Sequence, residues 1–203
     1  MERLTDDVYR LRSTRGSYAY VVEGPESVLV DTSLPGRAQA ILDELGALGG
    51  SIRHIVVTHY DVDHIGNVVP LAEALGAMVW LPADDVPYIV GAKPRPGVKR
   101  IIAAVSRPAI PVHFQTVASG GRVGPLEAMA SPGHTPGHLA FRTEYGLFAG
   151  DALTTRNGRV TALPALLAWD RQVEGQSRRQ LLQGFDGWIF PAHGEPLRWT
   201  RED

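Results

Sequence analysis

Cysteine is absent from this 203-residue chain. That excludes disulfides and thiolate metal ligands, so any metal must be held by His, Asp or Glu. Long apolar runs are also missing: no window approaches the roughly 18 residues of a membrane span. The start, Met1-Glu2-Arg3-Leu4-Thr5-Asp6-Asp7, lacks the apolar core of a signal peptide. A cytoplasmic protein with no membrane partner is the expectation. Charge of one sign is scarce as well. Twenty Lys and Arg stand against 22 Asp and Glu, a formal net charge of −2, which leaves no field to hold a polyanion, so nucleic acid is not the expected partner. No fixed-period repeat or low-complexity segment occurs. What remains is an ordinary globular composition, 44% apolar and 21% charged, at a length that suits one domain spanning 1–203. The expected partner is a small-molecule substrate, and the sequence carries no signal for an oligomeric state.

Strands are expected at Val8–Arg12, Tyr18–Val22 and Val28–Val30, with Gly24-Pro25 turning between the last two. From Gly36 to Leu48, apolar Ala38, Ile41, Leu42, Leu45 and Leu48 recur at helical spacing until Gly49-Gly50. Ile52–Thr58 is apolar on both faces, as a central strand is. Asn67 is placed to cap a helix that Gly76 ends, and Met78–Leu81 follows as a short strand. The segment 82–111 holds six prolines and the basic stretch Lys93 to Arg100, with a short helix expected at Val98–Val105. It reads as an elaboration on the core, either a solvated loop or a lid that draws in an anionic group. Strands return at Val112–Val117, Leu126–Ala130, Leu139–Thr143, Leu147–Ala149 and Trp188–Phe190, with a helix at Glu174–Gln183. Strands preceding helices in both halves predict a layered α/β domain.

The chemistry concentrates in Thr58-His59-Tyr60-Asp61-Val62-Asp63-His64, which follows the apolar run Ile55-Val56-Val57. Imidazoles and carboxylates delivered together at a strand end are ligands that zinc, iron or manganese accept. If 59–63 stay extended, His59, Asp61 and Asp63 point to one side, and His64 is brought round by the turn at Gly66. His134, Asp151 and His193 each follow a predicted strand beside glycine or proline, which lets the backbone turn a side chain inward. His54 and His113 have no such companions and read as structural, and Tyr60 either lines the pocket or packs.

Four motifs in this order, Thr58 to Asn67, Ser131-Pro132-Gly133-His134-Thr135-Pro136-Gly137-His138, Gly150-Asp151 and Pro191-Ala192-His193-Gly194, resemble the metallo-β-lactamase superfamily. The resemblance covers nearly the whole chain and implies a four-layer αββα sandwich with metals at the edge between two sheets. It implies two divalent ions, zinc first among the candidates, with iron or manganese as alternatives. One ion would sit on His59, Asp61 and His134, the other on Asp63, His64 and His193, with Asp151 bridging. Asp31 and His138 would brace the ligands, and Asp63 would orient a bridging hydroxide that attacks the substrate.

The family motif has His where this chain has Asp61. A third carboxylate cancels one positive charge, which predicts a less acidic bound water and a first site that favours harder ions. The implied activity is hydrolysis of a small ester, thioester or lactone. The chain is too short for the helical substrate domain of glyoxalase II. Thr154 stands where acyl-homoserine lactonases carry Tyr, which weighs against a lactone. A mononuclear iron persulfide-dioxygenase-like oxidoreductase and a non-catalytic metal-binding domain are the rival expectations.

Overall fold

A computed structural model describes residues 1–48, 50–106 and 108–201. Its first sheet contains seven strands that neighbour one another in chain order: β1 (Glu2–Arg3), β2 (Val8–Arg10), β3 (Tyr20–Val22), β4 (Ser27–Val30), β5 (Ile52–Val56), β6 (Met78–Pro82) and β7 (Gln115–Val117). The first four are antiparallel, and β4 to β7 run parallel. The parallel crossovers carry α1 (Ala38–Leu45), α2 (Val62–Ile65), α3 (Val68–Leu75), α4 (Val86–Ile89) and α5 (Lys99–Val105). The second half supplies β8 (Arg122–Val123), β9 (Leu126–Ala130), β10 (Leu139–Arg142), β11 (Gly146–Gly150), the separate hairpin β12 (Thr154–Arg156) and β13 (Arg159–Thr161), then α6 (Arg171–Leu182), β14 (Gly187–Pro191) and β15 (Leu197–Trp199). The six-stranded second sheet runs β15-β14-β11-β10-β9-β8, with β11 and β14 parallel.

The alternation of strand side chains sorts the core into three sets. Leu29, Ile55 and Val57 face Ile41, Leu45, Val68 and Leu71 of the outer helices. Val28, Val30 and Val56 face the other way and meet Phe141, Phe148 and Phe190 between the sheets. Ala140, Leu147, Ala149 and Ile189 face Leu181. Each sheet is therefore buried on both faces, giving the helix–sheet–sheet–helix order that the resemblance implies. Phe148 and Phe190 stack with centroids 4.8 Å apart, and the Tyr20 hydroxyl donates to the Pro191 carbonyl at 2.7 Å. This joins the sheets just below the edge that carries the polar residues.

The expected elements are present, some with shorter ends, as at Val8–Arg10 and Gln115–Val117, and some longer, as at Gly146–Gly150 and Gly187–Pro191. The helix expected to run to Leu48 stops at Leu45, and the Gly49 half of its expected stop lies outside the described residues. Asn67 precedes α3, but its side chain makes no cap. Its amide donates instead to the carbonyls of Thr32 (2.6 Å) and Leu34 (2.7 Å), while its oxygen accepts from Arg37 N at 2.9 Å. Partners on the 32–37 loop outcompete the local helix end. Gly66 packs against that same loop, and a Cβ there would collide with the Ser33 carbonyl and the Pro35 ring. Gly66→Ala should cost about 1–3 kcal/mol, as forced overpacking does. Thermal melting is expected to show a Tm lower by roughly 2–4 °C per kcal/mol; an unchanged Tm would mean that the loop moves freely aside.

Candidate metal centre

The turns after β4, β5, β9, β11 and β14 open on one edge of the sandwich, where Leu139 N donates to Thr58 O at 2.9 Å and holds the two sheets together. His59, Asp61, His134 and Asp151 form one group of donors, and Asp63, His64 and His193 form another; within each, the donor atoms lie no more than 4.8 Å apart. Asp151 reaches both. Its Oδ2 lies 3.0 Å from His134 Nε2 and 3.6 Å from His59 Nε2, and its Oδ1 lies 3.4 Å from His64 Nε2 and 3.3 Å from His193 Nε2. All seven residues singled out as ligands therefore meet in one place.

They arrive by a different local route from the one expected. The chain does not stay extended through 59–63: β5 ends at Val56, and α2 begins at Val62 with Asp61 at its N-cap position. Asp63 and His64 sit on the first turn of this helix, which aims them at the second group. Thr32 N donates to the His64 carbonyl at 2.8 Å and pins the turn.

Hydrogen bonds behind the imidazoles decide which nitrogen faces inward. Asp31 adopts a left-handed backbone, φ 61, which few residues other than Gly, Asn or Asp tolerate. The turn swings its carboxylate under the cluster. Its Oδ1 accepts from Thr58 N at 2.8 Å and its Oδ2 accepts from Thr58 Oγ1 at 2.8 Å. The same Oδ2 lies 2.8 Å from His64 Nδ1, so that nitrogen carries a proton and Nε2 is the one turned toward the second donor group. Because the Thr58 hydroxyl donates to Asp31, its oxygen accepts from His59 Nδ1 at 3.1 Å, and His59 Nε2 is left free. One carboxylate thus orients both imidazoles. His138 supports the far side: its Nε2 accepts from Asp151 N at 3.0 Å and its Nδ1 donates to Ser131 Oγ at 2.8 Å. Burial holds His138 well below the usual imidazole range, in keeping with that neutral state.

Several contributors were not singled out from sequence. Asp85, buried between β6 and α4, accepts from Thr135 Oγ1 and Gly137 N, each at 2.7 Å, and from Tyr60 N at 3.3 Å. It ties the His134 turn to the His59 turn, and burial raises its carboxyl to about 6. Glu174 lies 3.8 Å from His134 Nδ1 beneath the same turn. Tyr60 is fully buried and packs against Tyr88, so it packs and does not line the pocket. His54 pairs with Trp80 and His113 is exposed, both away from the centre.

Lys99 is the largest addition. It comes from the basic 82–111 segment yet is only 4% exposed, with Nζ 2.5 Å from Asp61 Oδ2 and 2.7 Å from His134 Nε2. Nearby, the Arg95 guanidinium lies over the Tyr60 ring, 4.9 Å from its centre. Both cations, with Asp61, Asp63, His134, Asp151 and His193, line a cavity of about 220 Å³ closed by the apolar side chains of Val62, Ile102, Leu163 and Leu167. The segment thus walls the site. Thr154 turns away, its hydroxyl 2.7 Å from that of Thr161 in the β12–β13 hairpin.

The donor set fits divalent ions. His59 Nε2, His64 Nε2 and Asp151 Oδ1 are buried with no hydrogen-bond partner among the described residues. Orphaned buried donors and acceptors are costly, and an ion in each group would satisfy all three. The electrostatics show carboxylates holding protons on two of the imidazoles, protons that an ion would replace. Burial, reinforced by neighbouring His64, pushes His59 well below its usual pKa, whereas the facing carboxylates overcome burial and raise His64 well above the imidazole range and His134 to about 9. Burial opposes ionisation of Asp61 and Asp151, but their bonds to imidazoles, and Lys99 beside Asp61, hold both well below the carboxylate range. The carboxylates therefore stay charged and ready to ligate.

The chain matches the model of the Metallo-beta-lactamase superfamily over residues 12–193. YobT of Bacillus subtilis (strain 168) is 30% identical over 206 residues, covering 90% of this chain and 85% of YobT. The hydroxyacylglutathione hydrolase of Methylobacillus flagellatus is 34% identical over 125 residues, covering 59% of this chain but only 41% of that enzyme. Among solved structures, TTHA1623 in a di-iron-bound form superposes with a TM-score of 0.74 at 28% identity, covering 94% of each chain. Among the described residues no helix is long and apolar enough to cross a membrane.

Proposed function

Because the chain belongs to the metallo-beta-lactamase superfamily, we propose that it is a metal-dependent hydrolase that cleaves a small acyl ester or thioester at the centre shared by Asp151. One observation carries this reading: two donor groups meet on opposite oxygens of a single buried carboxylate, at the floor of one cavity. His59, Asp61, His134 and Asp151 would hold one ion, and Asp63, His64, His193 and Asp151 the other. Such ions supply a bound water of lowered pKa and polarise the scissile carbonyl.

The chain's own residues do the rest. Asp63 Oδ2, 3.5 Å from His193 Nε2 at the cavity edge, is placed to orient a water and receive its proton. Val62, Ile102, Leu163 and Leu167 keep bulk water from the reacting carbonyl and accept an apolar acyl group. A cavity of about 220 Å³ suits a small acyl group with the remainder of the substrate outside. The likeness to a hydroxyacylglutathione hydrolase supports a thioester. The position of Thr154, engaged with Thr161, supports an ester or thioester over a lactone. The three carboxylates in the donor set favour harder ions, and the di-iron form of TTHA1623 supports testing iron and manganese beside zinc.

Apoprotein loaded separately with zinc, iron or manganese should hydrolyse short acyl thioesters and aryl esters, and chelator should abolish turnover. A fully loaded protein that turns over neither class, or one whose activity survives chelation, would overturn the proposal.

A further inference from the structure

The two donor groups are not equivalent. In the second, His64 Nε2 and the facing Asp151 Oδ1 have no hydrogen-bond partner among the described residues. In the first, His59 Nε2 and the outward His134 Nδ1 are in that condition, but the two atoms that face each other across the group, Asp61 Oδ2 and His134 Nε2, already have an ammonium against them. Lys99 is no surface side chain folded over by chance. It opens α5, is buried, and lies 5.5 Å from the centre of the Tyr60 ring, whose face favours a cation. Arg95 covers the same ring, so the segment that delivers Lys99 is itself anchored beside the centre.

Charge points the same way. The first group carries the carboxylates of Asp61 and Asp151, but the Lys99 ammonium offsets one of them. The second has Asp63 and its share of Asp151, and among the described residues only imidazoles pair with them. Asp61 with Lys99 has the same net charge as a neutral ligand would have alone. Before any ion enters, the pair thus offsets the charge that Asp61 by itself adds.

We propose that Lys99 is a tethered cation of the first metal site, paired with Asp61, against which an incoming ion must compete, so that the Asp63–His64–His193 group fills first and the His59–Asp61–His134 group fills second and more weakly. This rests on the reading of the centre as a metal site. It makes the chain mononuclear at limiting metal and dinuclear only in excess. Lys99 acts through Asp61 and His134, as a positioning residue, and takes no part in bond cleavage.

Calorimetric titration of the full-length apoprotein with Zn²⁺ and with Mn²⁺, checked by metal analysis after gel filtration, tests this. Wild type should bind in two steps, the second weaker by about 10- to 100-fold, the range over which groups around ligands tune metal affinity. Lys99→Met keeps the length and apolar stem but removes the ammonium; it should strengthen the second step at least about 10-fold and leave the first within about threefold. Should Lys99→Met not fold, Lys99→Gln is read in the same way, and the wild-type isotherm stands by itself. Two ions bound by wild type with equal affinity would overturn the proposal. So would a Lys99 variant with an unchanged or weakened second step, which would make Lys99 a support and not a competitor. Failure to bind any divalent ion would instead overturn the metal-site reading itself.

Discussion

Asp151→Ala should empty both metal positions at once. One of its oxygens faces the first donor group and the other faces the second, and it is 3% exposed at the cavity floor. Removing it leaves His59, His64 and His134 with no shared anion and the two ions with no common ligand. Metal analysis of the purified variant should find both equivalents lost. Hydrolysis of the best thioester or ester should fall by on the order of 10³-fold or more, the scale on which electrostatic stabilisation of a transition state operates. Loss of only one equivalent, with the other retained at wild-type affinity, would mean that the groups are independent sites. Asp151→Asn sharpens the test, because it keeps the volume and one acceptor but removes the charge.

Asp31→Ala should be the most destabilising single change at the centre although Asp31 touches no proposed ion. Its carboxylate accepts from Thr58 N and Thr58 Oγ1 and pairs with His64 Nδ1, all buried. Truncation strands those groups, and breaking a buried charged pair from one side costs about 3–5 kcal/mol. At about 2–4 °C per kcal/mol, the Tm should drop by roughly 6–20 °C. Metal affinity should fall by about 10- to 100-fold, because both imidazoles lose the bonds that fix their tautomers. Asp31→Asn separates two causes. Asn tolerates the left-handed backbone at φ 61, so stability should recover in part while the affinity loss, which follows the charge, should persist. Equal stability of the Ala variant and wild type would contradict the account.

The sandwich was legible because both of its sheets are buried on two faces, which writes near-continuous apolar runs such as Ile55-Val56-Val57 into the chain. The ligands were legible because each group follows such a run, His134, Asp151 and His193 beside glycine or proline, and the motifs come in a recognisable order. Other features left less trace. A four-residue helix at Val62–Ile65 is too short to show a period, so 59–63 reads as extended. Asn67 has a cap's identity and position, but its partners lie on a distant loop that local sequence cannot reveal. The hairpin of β12 and β13 was readable: Asn157-Gly158, both with positive φ, sits between Thr154-Thr155 and Val160-Thr161. Asp170, which caps α6 by accepting from Gln172 N and Val173 N, was readable too, and it shows why α6 begins three residues before Glu174. Lys99 was the hardest. In sequence it is one of several cations in a proline-rich stretch, and only tertiary packing turns it toward Asp61 while Lys93 and Arg100 remain exposed.

The most direct measurement is crystallographic: anomalous difference maps collected at the zinc, iron and manganese edges from metal-loaded crystals. The account predicts two peaks, one on either side of the Asp151 carboxylate, the first within coordination distance of His59 and His134 and the second within coordination distance of His64 and His193. Metal-loaded crystals with no anomalous peak between these side chains, or with peaks only elsewhere on the molecule, would contradict it.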